Sequence, residues 1–279
     1  MLKDCLRKCR NMLAEGNIPS PDYEAMCLVQ HVTGYDRARQ IAHANDELDA
    51  QQEALLYSLT ERRLTHYPLQ YLLGSWSFCG FELAVGEGVL IPRDDTEVAV
   101  NLCLEYLNNK KDARAIDLCS GSGAIAIAVA KLGGASVEAV ERSEKAFYFL
   151  EKNINSNQAA VTAIMGDIFA CHTDFTDGKY DLIVSNPPYI IRDEIKTLQT
   201  EVQHEPAMAL DGGEDGYDFY KAIIAHWRQK LKKGGALVFE LGEGQAEDVA
   251  LLMKDSGFVQ IRTALDFGGV KRAIIGILS

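Results

Sequence analysis

The sequence contains no long apolar run, and we expect its basic N-terminus to form the first helix of the folded protein rather than a mitochondrial presequence. No stretch of the 279 residues approaches the ~20 consecutive apolar residues that a membrane-spanning helix needs. The N-terminal run MLKDCLRKCRNML has no uninterrupted apolar core, unlike a secretory signal. We therefore expect a cytoplasmic protein that makes no contact with a membrane.

Patterns of cysteine and histidine that bind metals or form disulfides are also absent. The seven cysteines are odd in number and scattered, and none of them forms a CxxC motif. The six histidines show neither HExxH nor another ligand spacing. This usage predicts free thiols in a reducing compartment and no structural or catalytic metal.

Positive charge is scarce for a protein that would bind nucleic acid. The formal net charge is −12, and no run of Lys and Arg is longer than two residues. Enzymes that act on DNA or RNA normally carry a basic patch that neutralises phosphates. The acidic balance makes a direct nucleic-acid substrate less expected, although total charge does not define the charge of one face.

Residues 1–74 are predicted to form a helical domain, and they contain no catalytic constellation. Pro21 suits the first position of a helix, and Gly34 suits its end. Asp49 can cap a longer helix whose leucines recur at helical spacing, and we expect Pro68 to end or bend that helix. We predict a small helix bundle that serves substrate recognition.

Residues 75–93 have the alternating pattern of a β-hairpin and form the predicted linker to a larger domain, residues 94–279. A helix opened by Asp95 or Thr96 begins this domain, and strand-like and helix-like segments then alternate. This order predicts an α/β fold with a doubly wound, mostly parallel sheet. The stretch 190–215 lacks periodicity, and we place it beside the functional site. The strand candidates are Ala113–Leu118, Ser136–Val140, Val161–Met165, Tyr180–Ser185, Ala236–Glu240, Val259–Thr263 and Arg272–Ile277.

The stretch DLIVSNPPY, which ends at Tyr189, is predicted to form a strand followed by a turn that binds a planar group bearing an NH2. Pro187 and Pro188 donate no N–H, so their carbonyls are free to accept hydrogen bonds. A planar group with an NH2 would donate to the Asn186 side-chain oxygen and the Pro187 carbonyl, and its face would lie on Tyr189. A rigid turn is the alternative, but a turn requires neither the Asn nor the Tyr. The predicted catalytic residues are Asn186, Pro187 and Tyr189, and the predicted substrate-binding residues are these three and Pro188.

A second polar cluster follows the first strand of the α/β region. Asp117 precedes a glycine-rich turn and the helical run AIAIAVA, so a ligand can approach the backbone closely. The next strand ends in Glu141, where an acid can accept both hydroxyls of a ribose. Asp167 and Ile168 follow the third strand and suit the amino group and the face of an adenine. The predicted cofactor-binding residues are Asp117, Cys119, Ser120, Gly121, Ser122, Gly123, Glu141, Asp167, Ile168 and Asn186.

The spacing of the glycines alone also fits a dinucleotide-binding loop. Asp117 favours a different ligand, because an acid ahead of the glycines repels a pyrophosphate and attracts a cationic amino group and a sulfonium. S-adenosylmethionine carries both of these charges and a ribose. We therefore expect S-adenosylmethionine as the cofactor and S-adenosylhomocysteine as its product.

The glycine loop, Glu141 and NPPY together resemble class I S-adenosylmethionine-dependent methyltransferases that act on a planar nitrogen. Longer motifs resemble the HemK/PrmC family of protein-glutamine N5-methyltransferases, from the helical domain to the C-terminus. Two features depart from the family pattern: Glu141 stands where Asp is more usual, and ERSEKAFYFLEKN is more aromatic than typical. The motifs are PLQYLLG (68–74), FCGFEL (78–83), VLIPRDDTE (89–97), EPAMALDGGEDGYDFY (205–220) and FELGEGQ (239–245).

The resemblance implies a seven-stranded, mostly parallel sheet with a small helical domain and a hairpin linker. It also implies methyl transfer from S-adenosylmethionine to the side-chain amide N5 of the Gln in the GGQ motif of class I peptide-chain release factors, which modulates translation termination. A carboxamide nitrogen needs positioning more than it needs a general base before attack. We therefore expect no histidine to act as a catalyst, and we expect His204 to be a loop residue.

Three other functions remain open. An adenine-N6 nucleic-acid methyltransferase would share NPPY, because adenine N6 is also an NH2 on a flat ring. A nicotinamide-dependent oxidoreductase would use the glycine loop, but it explains neither NPPY nor Asp117. A non-catalytic adaptor would not require either motif. Arg93, Glu205 and Glu240 either contact the substrate or form structural ion pairs, and we expect a monomer.

Overall fold

A computed structural model of the protein describes every residue from Met1 to Ser279. The chain divides into two compact units. The first unit comprises Met1–Ser75 and Gln199–His204, and the second comprises Trp76–Leu198 and Glu205–Ser279. A short part of the long aperiodic stretch therefore belongs to the first unit.

The first unit is a bundle of helices, as predicted. Pro21 opens the second helix, which is followed by Gly34 at a left-handed φ of 71°. Asp49 opens the fourth helix through a capping box, in which its side chain accepts from the Gln52 N–H and its own N–H donates to the Gln52 side chain. The helices are α1 (Leu2–Glu15), α2 (Pro21–Thr33), α3 (Arg37–Ala42), α4 (Ala50–Leu64) and α5 (Leu69–Leu73).

Pro68 does not have its predicted role. Helix α4 already ends at Leu64, and Pro68 is the residue immediately before α5. Proline is tolerated at a helix start because the first turn has no acceptor for its missing N–H. The prediction that Pro68 ends or bends the long helix was therefore wrong.

Residues Gln199–His204 are held in the first unit by polar contacts. The buried Arg63 guanidinium donates to the Glu201 carboxylate at 3.1 Å. The His66 Nδ1 atom lies 2.9 Å from the same carboxylate oxygen. His204 lies in a short 3-10 turn of this segment. The middle of the stretch that was expected beside the site thus packs among the helices instead.

A two-stranded hairpin and a helix precede the main sheet, close to their predicted positions. The hairpin strands are β1 (Ser75–Phe78) and β2 (Phe81–Ala84). Cys79 and Gly80 connect them, and both have positive φ values, 48° and 79°, as in a type I′ turn. A 3-10 turn over Asp94–Thr96 leads into α6 (Glu97–Leu107).

The main sheet contains seven strands, with helices between most of them. The strands are β3 (Arg114–Leu118), β4 (Ser136–Glu141), β5 (Val161–Met165), β6 (Tyr180–Ser185), β7 (Leu231–Glu240), β8 (Phe258–Leu265) and β9 (Lys271–Leu278). The helices are α7 (Ala124–Gly133), α8 (Glu144–Asn157), α9 (Asp218–Trp227) and α10 (Ala246–Asp255). The order is β5-β4-β3-β6-β7-β9-β8. β9 pairs antiparallel with both β7 and β8, and every other pair of neighbouring strands is parallel. The predicted doubly wound, mostly parallel sheet is confirmed.

The strand order reverses next to β3, and this reversal determines where a ligand can bind. From β3 the chain moves outward through β4 and β5 and then places β6 on the other side of β3. Leu118 at the end of β3 pairs with Ser185 at the end of β6. Open α/β sheets bind ligands outside the carboxyl ends of their strands at such a point. The glycine loop and the NPPY turn therefore meet at one edge of the sheet.

Candidate active site

A cavity of about 370 Å³ opens in the second unit at this edge of the sheet. Its walls come from the loops after β3 and β5, the end of β4 and the turn after β6. Most of the predicted cofactor and substrate residues therefore surround one space. Gly123, Pro187 and Tyr189 are not part of the wall. The predicted residues that line the cavity are Asp117, Cys119, Ser120, Gly121, Ser122, Glu141, Asp167, Ile168, Asn186 and Pro188.

The glycine loop turns sharply between β3 and α7. Cys119, Gly121 and Gly123 have positive φ values of 62°, 54° and 83°. Glycine adopts this conformation at little cost, whereas a residue with a Cβ is strained there. A Cβ on Gly123 would also lie 2.6 Å from the Leu150 side chain. Gly123 thus permits close packing behind the loop, which explains its absence from the cavity wall.

Asp117 is a buried acid at the base of the cavity. Its side chain is 1% exposed, and its Oδ2 atom accepts a hydrogen bond of 3.1 Å from the Ala126 N–H in the first turn of α7. Its Oδ1 atom has no partner. Burial, and more weakly the neighbouring Glu141, raise the pKa of this carboxyl to about 8. A cationic donor in the cavity would satisfy the free oxygen and favour the ionised form, so the site fits a cationic ligand.

Glu141 ends β4 and is held rigidly beside the glycine loop. One carboxylate oxygen accepts from the Gly121 N–H at 2.8 Å, and the other accepts from the Ser143 N–H at 2.7 Å. Each carboxylate oxygen has a further lone pair that can accept another donor. Two hydroxyls can therefore bind to a carboxylate whose orientation is already determined by the backbone.

Asp167 and Ile168 line the cavity after β5. The Asp167 carboxylate accepts from the Phe169 N–H at 3.0 Å and lies 3.2 Å from the Arg142 guanidinium. Ile168 is buried, and its carbonyl accepts a hydrogen bond of 2.9 Å from the Trp227 indole. Ile168 therefore presents a well-anchored apolar surface next to an acceptor, which is the combination that a flat ring with an amino group requires.

The NPPY turn places Asn186 and Pro188 at the cavity wall. The Ser185 hydroxyl donates to the Leu118 carbonyl at 2.5 Å and ties the end of β6 to the end of β3. The Asn186 Nδ2 atom donates to the Thr96 hydroxyl oxygen at 3.5 Å. The side-chain oxygen of Asn186 thereby stays available as an acceptor.

Tyr189 lies behind the cavity wall, next to a second buried acid. Its hydroxyl donates to Glu240 Oε1 at 3.4 Å, and its carbonyl accepts from the Gln245 side chain at 3.1 Å. Burial and the Glu240 charge raise the pKa of the Tyr189 hydroxyl. The ring packs against the buried cluster on one face of the sheet. Its predicted stacking on a substrate amide stays a prediction, as does the predicted role of the buried Pro187 carbonyl.

Arg93, Glu205 and Glu240 were predicted to contact substrate or to form ion pairs. Arg93 lines the cavity and forms an ion pair with Glu205. Glu205 is 5% exposed and also accepts from the Ile91 N–H at 2.9 Å. Glu240 is 2% exposed and does not line the cavity. Glu205 therefore forms a structural ion pair with Arg93. Arg93 also lines the cavity, so it can contact a substrate.

Thr96 and Gln245 belong to the site, although Thr96 was predicted only as a helix start and no role was predicted for Gln245. Thr96 is buried and lines the cavity, and its hydroxyl oxygen accepts the hydrogen bond from Asn186. Gln245 donates to the carbonyls of Tyr189 and Gly216 and so holds the end of the NPPY turn. Both residues lie in motifs that carry the family resemblance, which was the only signal of their importance in the sequence.

The remaining polar residues form no metal centre. No group of three or more His, Cys, Asp and Glu side chains is arranged to hold a metal ion. All seven cysteines are free thiols. None of the helices combines the length and the apolar character that spanning a membrane requires.

Comparisons with known proteins agree with this architecture. The family models described as PrmC N-terminal domain and methyltransferase small domain match residues 4–74 and 87–214. A release factor glutamine methyltransferase from Geobacter sulfurreducens is 40% identical over 270 residues, covering 96% of this chain and 93% of that protein. Another, from Thermodesulfovibrio yellowstonii, is 38% identical, covering 90% and 91%.

A solved structure supports the fold alone. The hMettl16 catalytic domain, solved in complex with MAT2A 3'UTR hairpin 1, has a TM-score of 0.59 at 13% identity, covering 82% of this chain and 80% of that chain. The seven-stranded sheet with its flanking helices is the class I methyltransferase fold. The relatives and the two family models together show that the chain belongs to the release factor glutamine methyltransferase family.

Proposed function

We propose that this protein transfers the methyl group of S-adenosylmethionine to the side-chain amide N5 of the Gln in the GGQ motif of class I peptide-chain release factors. One observation carries the proposal. Asp117, a buried acid with a free oxygen, and Asn186, an amide with a free oxygen, line one cavity at the ends of adjacent parallel strands. The first suits a cationic methyl donor, and the second suits a substrate NH2 group.

The donor side of the cavity would hold the cofactor through acids and the glycine loop. When bound, S-adenosylmethionine supplies an electrophilic methyl group on a sulfonium. Asp117 would accept from its cationic amino group, and Glu141 would accept from the ribose hydroxyls. Asp167 would accept from the adenine amino group while Ile168 packs on the ring. The backbone of the loop that contains Gly121 allows the close approach that these contacts require.

The acceptor side would position a nitrogen that is a poor nucleophile, because its lone pair is delocalised into the carbonyl. The Asn186 side-chain oxygen and the Pro187 carbonyl would hold the two NH2 hydrogens, with the ring of Tyr189 against the amide plane. This arrangement directs the nitrogen lone pair toward the methyl group, and positioning replaces a general base. The nitrogen would gain the methyl group as the sulfur–methyl bond breaks, which would leave S-adenosylhomocysteine, and the methylated nitrogen would then lose one proton to water.

The test is a methyl-transfer assay with labelled S-adenosylmethionine and three substrates side by side. These are a full release factor, the same factor with its GGQ Gln replaced by Asn, and DNA. We expect label only in the unmodified factor, with mass spectrometry locating one added methyl on the Gln. Label in DNA would instead support an adenine-N6 methyltransferase, and label in neither protein nor DNA would overturn the proposal.

A GGQ peptide separates chemistry from recognition. The peptide contains the reacting Gln but none of the surface of the full factor. Methylation of the factor without methylation of the peptide would assign recognition to contacts outside the cavity. Equal rates on both would assign it to the cavity alone.

A further inference from the structure

A fully exposed phenylalanine lies at the tip of the last hairpin of the main sheet. Residues 266–270 connect β8 to β9, and the side chain of Phe267 in this turn is more exposed than any other large apolar side chain of the protein. Leu265, at the end of β8, is also more than half exposed. Single exposed apolar residues are ordinary on protein surfaces, so the position and the rigidity of this turn decide whether it binds a partner.

The turn lies at the same edge of the sheet as the cavity. Strand β9 runs antiparallel to β7, and Ala273, near the start of β9, pairs with Glu240, the last residue of β7. The Leu241 N–H donates to the Arg272 carbonyl at 2.8 Å, directly beyond that pair. The turn before β9 therefore projects from the carboxyl ends of the parallel strands, where the cavity opens.

One arginine connects this turn to the wall of the cavity. The Arg272 Nε atom donates to Asp266 Oδ2 at 3.1 Å and lies 3.4 Å from Asp95 Oδ2. Phe267 follows Asp266 directly in the chain, and Thr96, which lines the cavity, follows Asp95. A protein that inserts one of its side chains into the cavity therefore has its own surface close to Phe267.

Hydrogen bonds within the turn hold Phe267 in a fixed place. The Asp266 N–H donates to the Val270 carbonyl at 2.9 Å, and the Val270 N–H donates to the Asp266 carboxylate at 2.9 Å. The Gly269 N–H donates to the Asp266 carbonyl at 3.1 Å. An aromatic ring on a braced turn loses little backbone freedom when it binds, which favours its use as an anchor in a protein interface.

We propose that Phe267 is an anchor for the protein substrate, and that its ring is buried against an apolar surface of the release factor beside the GGQ motif. This inference rests on the proposed function, since a protein substrate brings a folded surface to this edge together with its Gln. The Gln side chain alone offers little contact area, whereas aromatic anchors contribute much of the binding energy of protein interfaces. Phe267 thus contributes to the affinity for the factor without touching the reacting atoms.

The decisive variant is Phe267→Ala. We expect the KM for the full release factor to rise about tenfold or more, because the loss of an interface anchor reduces affinity by this order. The kcat, the Kd for S-adenosylmethionine and the melting temperature should keep their wild-type values, since the exposed ring packs against little in the free protein. Phe267→Leu keeps an apolar side chain and should raise the KM less than Phe267→Ala does.

Leu132→Ala is the matched control, because it shortens another exposed apolar side chain at the opposite edge of the sheet. Leu132 is 53% exposed near the end of α7, the helix that returns from the end of β3 to the start of β4. This variant should keep the wild-type KM. An unchanged KM in Phe267→Ala would overturn the inference, and so would an equal rise in Phe267→Leu or Leu132→Ala. Wild-type protein that fails to methylate the Gln would instead overturn the proposed function.

Cross-linking identifies what covers Phe267. A benzophenone-bearing phenylalanine at position 267 reacts on illumination with C–H groups that lie next to it. We expect a cross-link to the release factor, which mass spectrometry should locate beside the GGQ motif, and none from the same side chain at position 132. A cross-link only between two copies of this chain would indicate a homodimer contact and would overturn the inference, as would the absence of any cross-link.

Discussion

Asp117 and Glu240 are buried acids in the two strands beside β6, the strand that precedes Asn186. They differ in whether they line the cavity. Asp117 lies in β3 and Glu240 ends β7, on either side of β6. Each is nearly fully buried and leaves one carboxylate oxygen without a partner. Burial raises the pKa of Asp117 to about 8 and that of Glu240 to about 7. Asp117 lines the cavity, whereas Glu240 lies behind it.

The partners of the two acids explain this difference in position. Asp117 accepts from a backbone amide, which leaves its remaining oxygen for a ligand. Glu240 accepts from the hydroxyl of Tyr189, the last residue of the NPPY turn. A buried acid without a full set of donors is costly in the free protein. This cost is offset by ligand binding at Asp117, whereas at Glu240 it accompanies the anchoring of Tyr189.

The largest expected effect is on the acceptor side, at Asn186. Asn186→Ala removes the acceptor for the substrate NH2 and should reduce kcat by about 100-fold or more, because one such group contributes roughly 3 kcal/mol. Isothermal titration should show nearly unchanged binding of S-adenosylmethionine, since the donor side is intact. A variant with wild-type turnover would show that Asn186 does not position the substrate.

The next largest effect is on the donor side, where one substitution should weaken cofactor binding and stabilise the ligand-free protein. Asp117→Asn should weaken S-adenosylmethionine binding about 10- to 100-fold, since a hydrogen bond to a charged group contributes about 1.5–3 kcal/mol. The same change should raise the melting temperature of the ligand-free protein at pH 8, because it removes a buried charge. Thermal unfolding with and without the cofactor measures both effects.

Asp181→Asn provides the matched control for this result. Asp181 is the second residue of β6, and its carboxylate accepts from the Arg114 N–H and from Lys232, which keep the pKa of this acid below its ordinary value. Its replacement should lower the melting temperature and leave cofactor binding unchanged. If Asp117→Asn and Asp181→Asn shift the melting temperature in the same direction, an acid with an unpartnered oxygen does not differ from an acid with its full set of donors, and this prediction is wrong.

The pH dependence of binding tests the same acid without a substitution. In the free protein the Asp117 pKa is raised to about 8, and a bound cation would lower it. Binding at pH 7 should therefore release nearly one proton, and affinity should rise by about tenfold or more between about pH 6 and pH 8. Calorimetry in two buffers with different ionisation enthalpies measures the proton. Asp117→Asn should abolish the difference between buffers.

The effect of Asp117 on folding has the opposite dependence on pH. Its pKa is higher in the folded protein than the ordinary value of 3.8, so the folded state holds the proton more tightly. The stabilisation of the folded state by the protonated Asp117 is therefore complete below pH 3.8 and is lost as the pH rises through about 8. Unfolding of the ligand-free protein measured from pH 5 to pH 8 should show this slope, and a flat profile would contradict it.

The strands and the donor loop could be predicted from the sequence, because both depend on local patterns. Apolar runs at the centre of a parallel sheet are buried on both faces, and the predicted bounds of β6 match the structure residue for residue. The predicted bounds of the edge strand β5 match as well. The contacts that complete the site could not be predicted in this way. Thr96, Glu240 and Asn186 come from three separate segments, and side-chain hydrogen bonds between distant segments leave no periodic signal.

The packing of one loop segment and the backbone conformation of one residue could not be predicted from the sequence either. Gln199–His204 has no hydrophobic periodicity, so nothing in its composition indicated that it joins the helical unit. Cys119 was predicted as a loop residue near the cofactor, without any sign that its φ is positive. A cysteine at such a position is unusual, because the left-handed region is strained for residues with a Cβ.

The smallest expected effect tests this strain on the donor side. Cys119→Gly should raise the free energy of unfolding by about 0.5 kcal/mol, because about 1–2 kcal/mol of strain is released and about 0.5–1 kcal/mol of glycine entropy opposes it. Cys171→Gly is the control, since Cys171 does not have a positive φ, and it should be destabilising. Denaturant unfolding of both variants measures the difference. Destabilisation by Cys119→Gly would mean that packing of the thiol outweighs the backbone strain, whereas stabilisation with unchanged cofactor affinity would show that the loop needs only its backbone at this position.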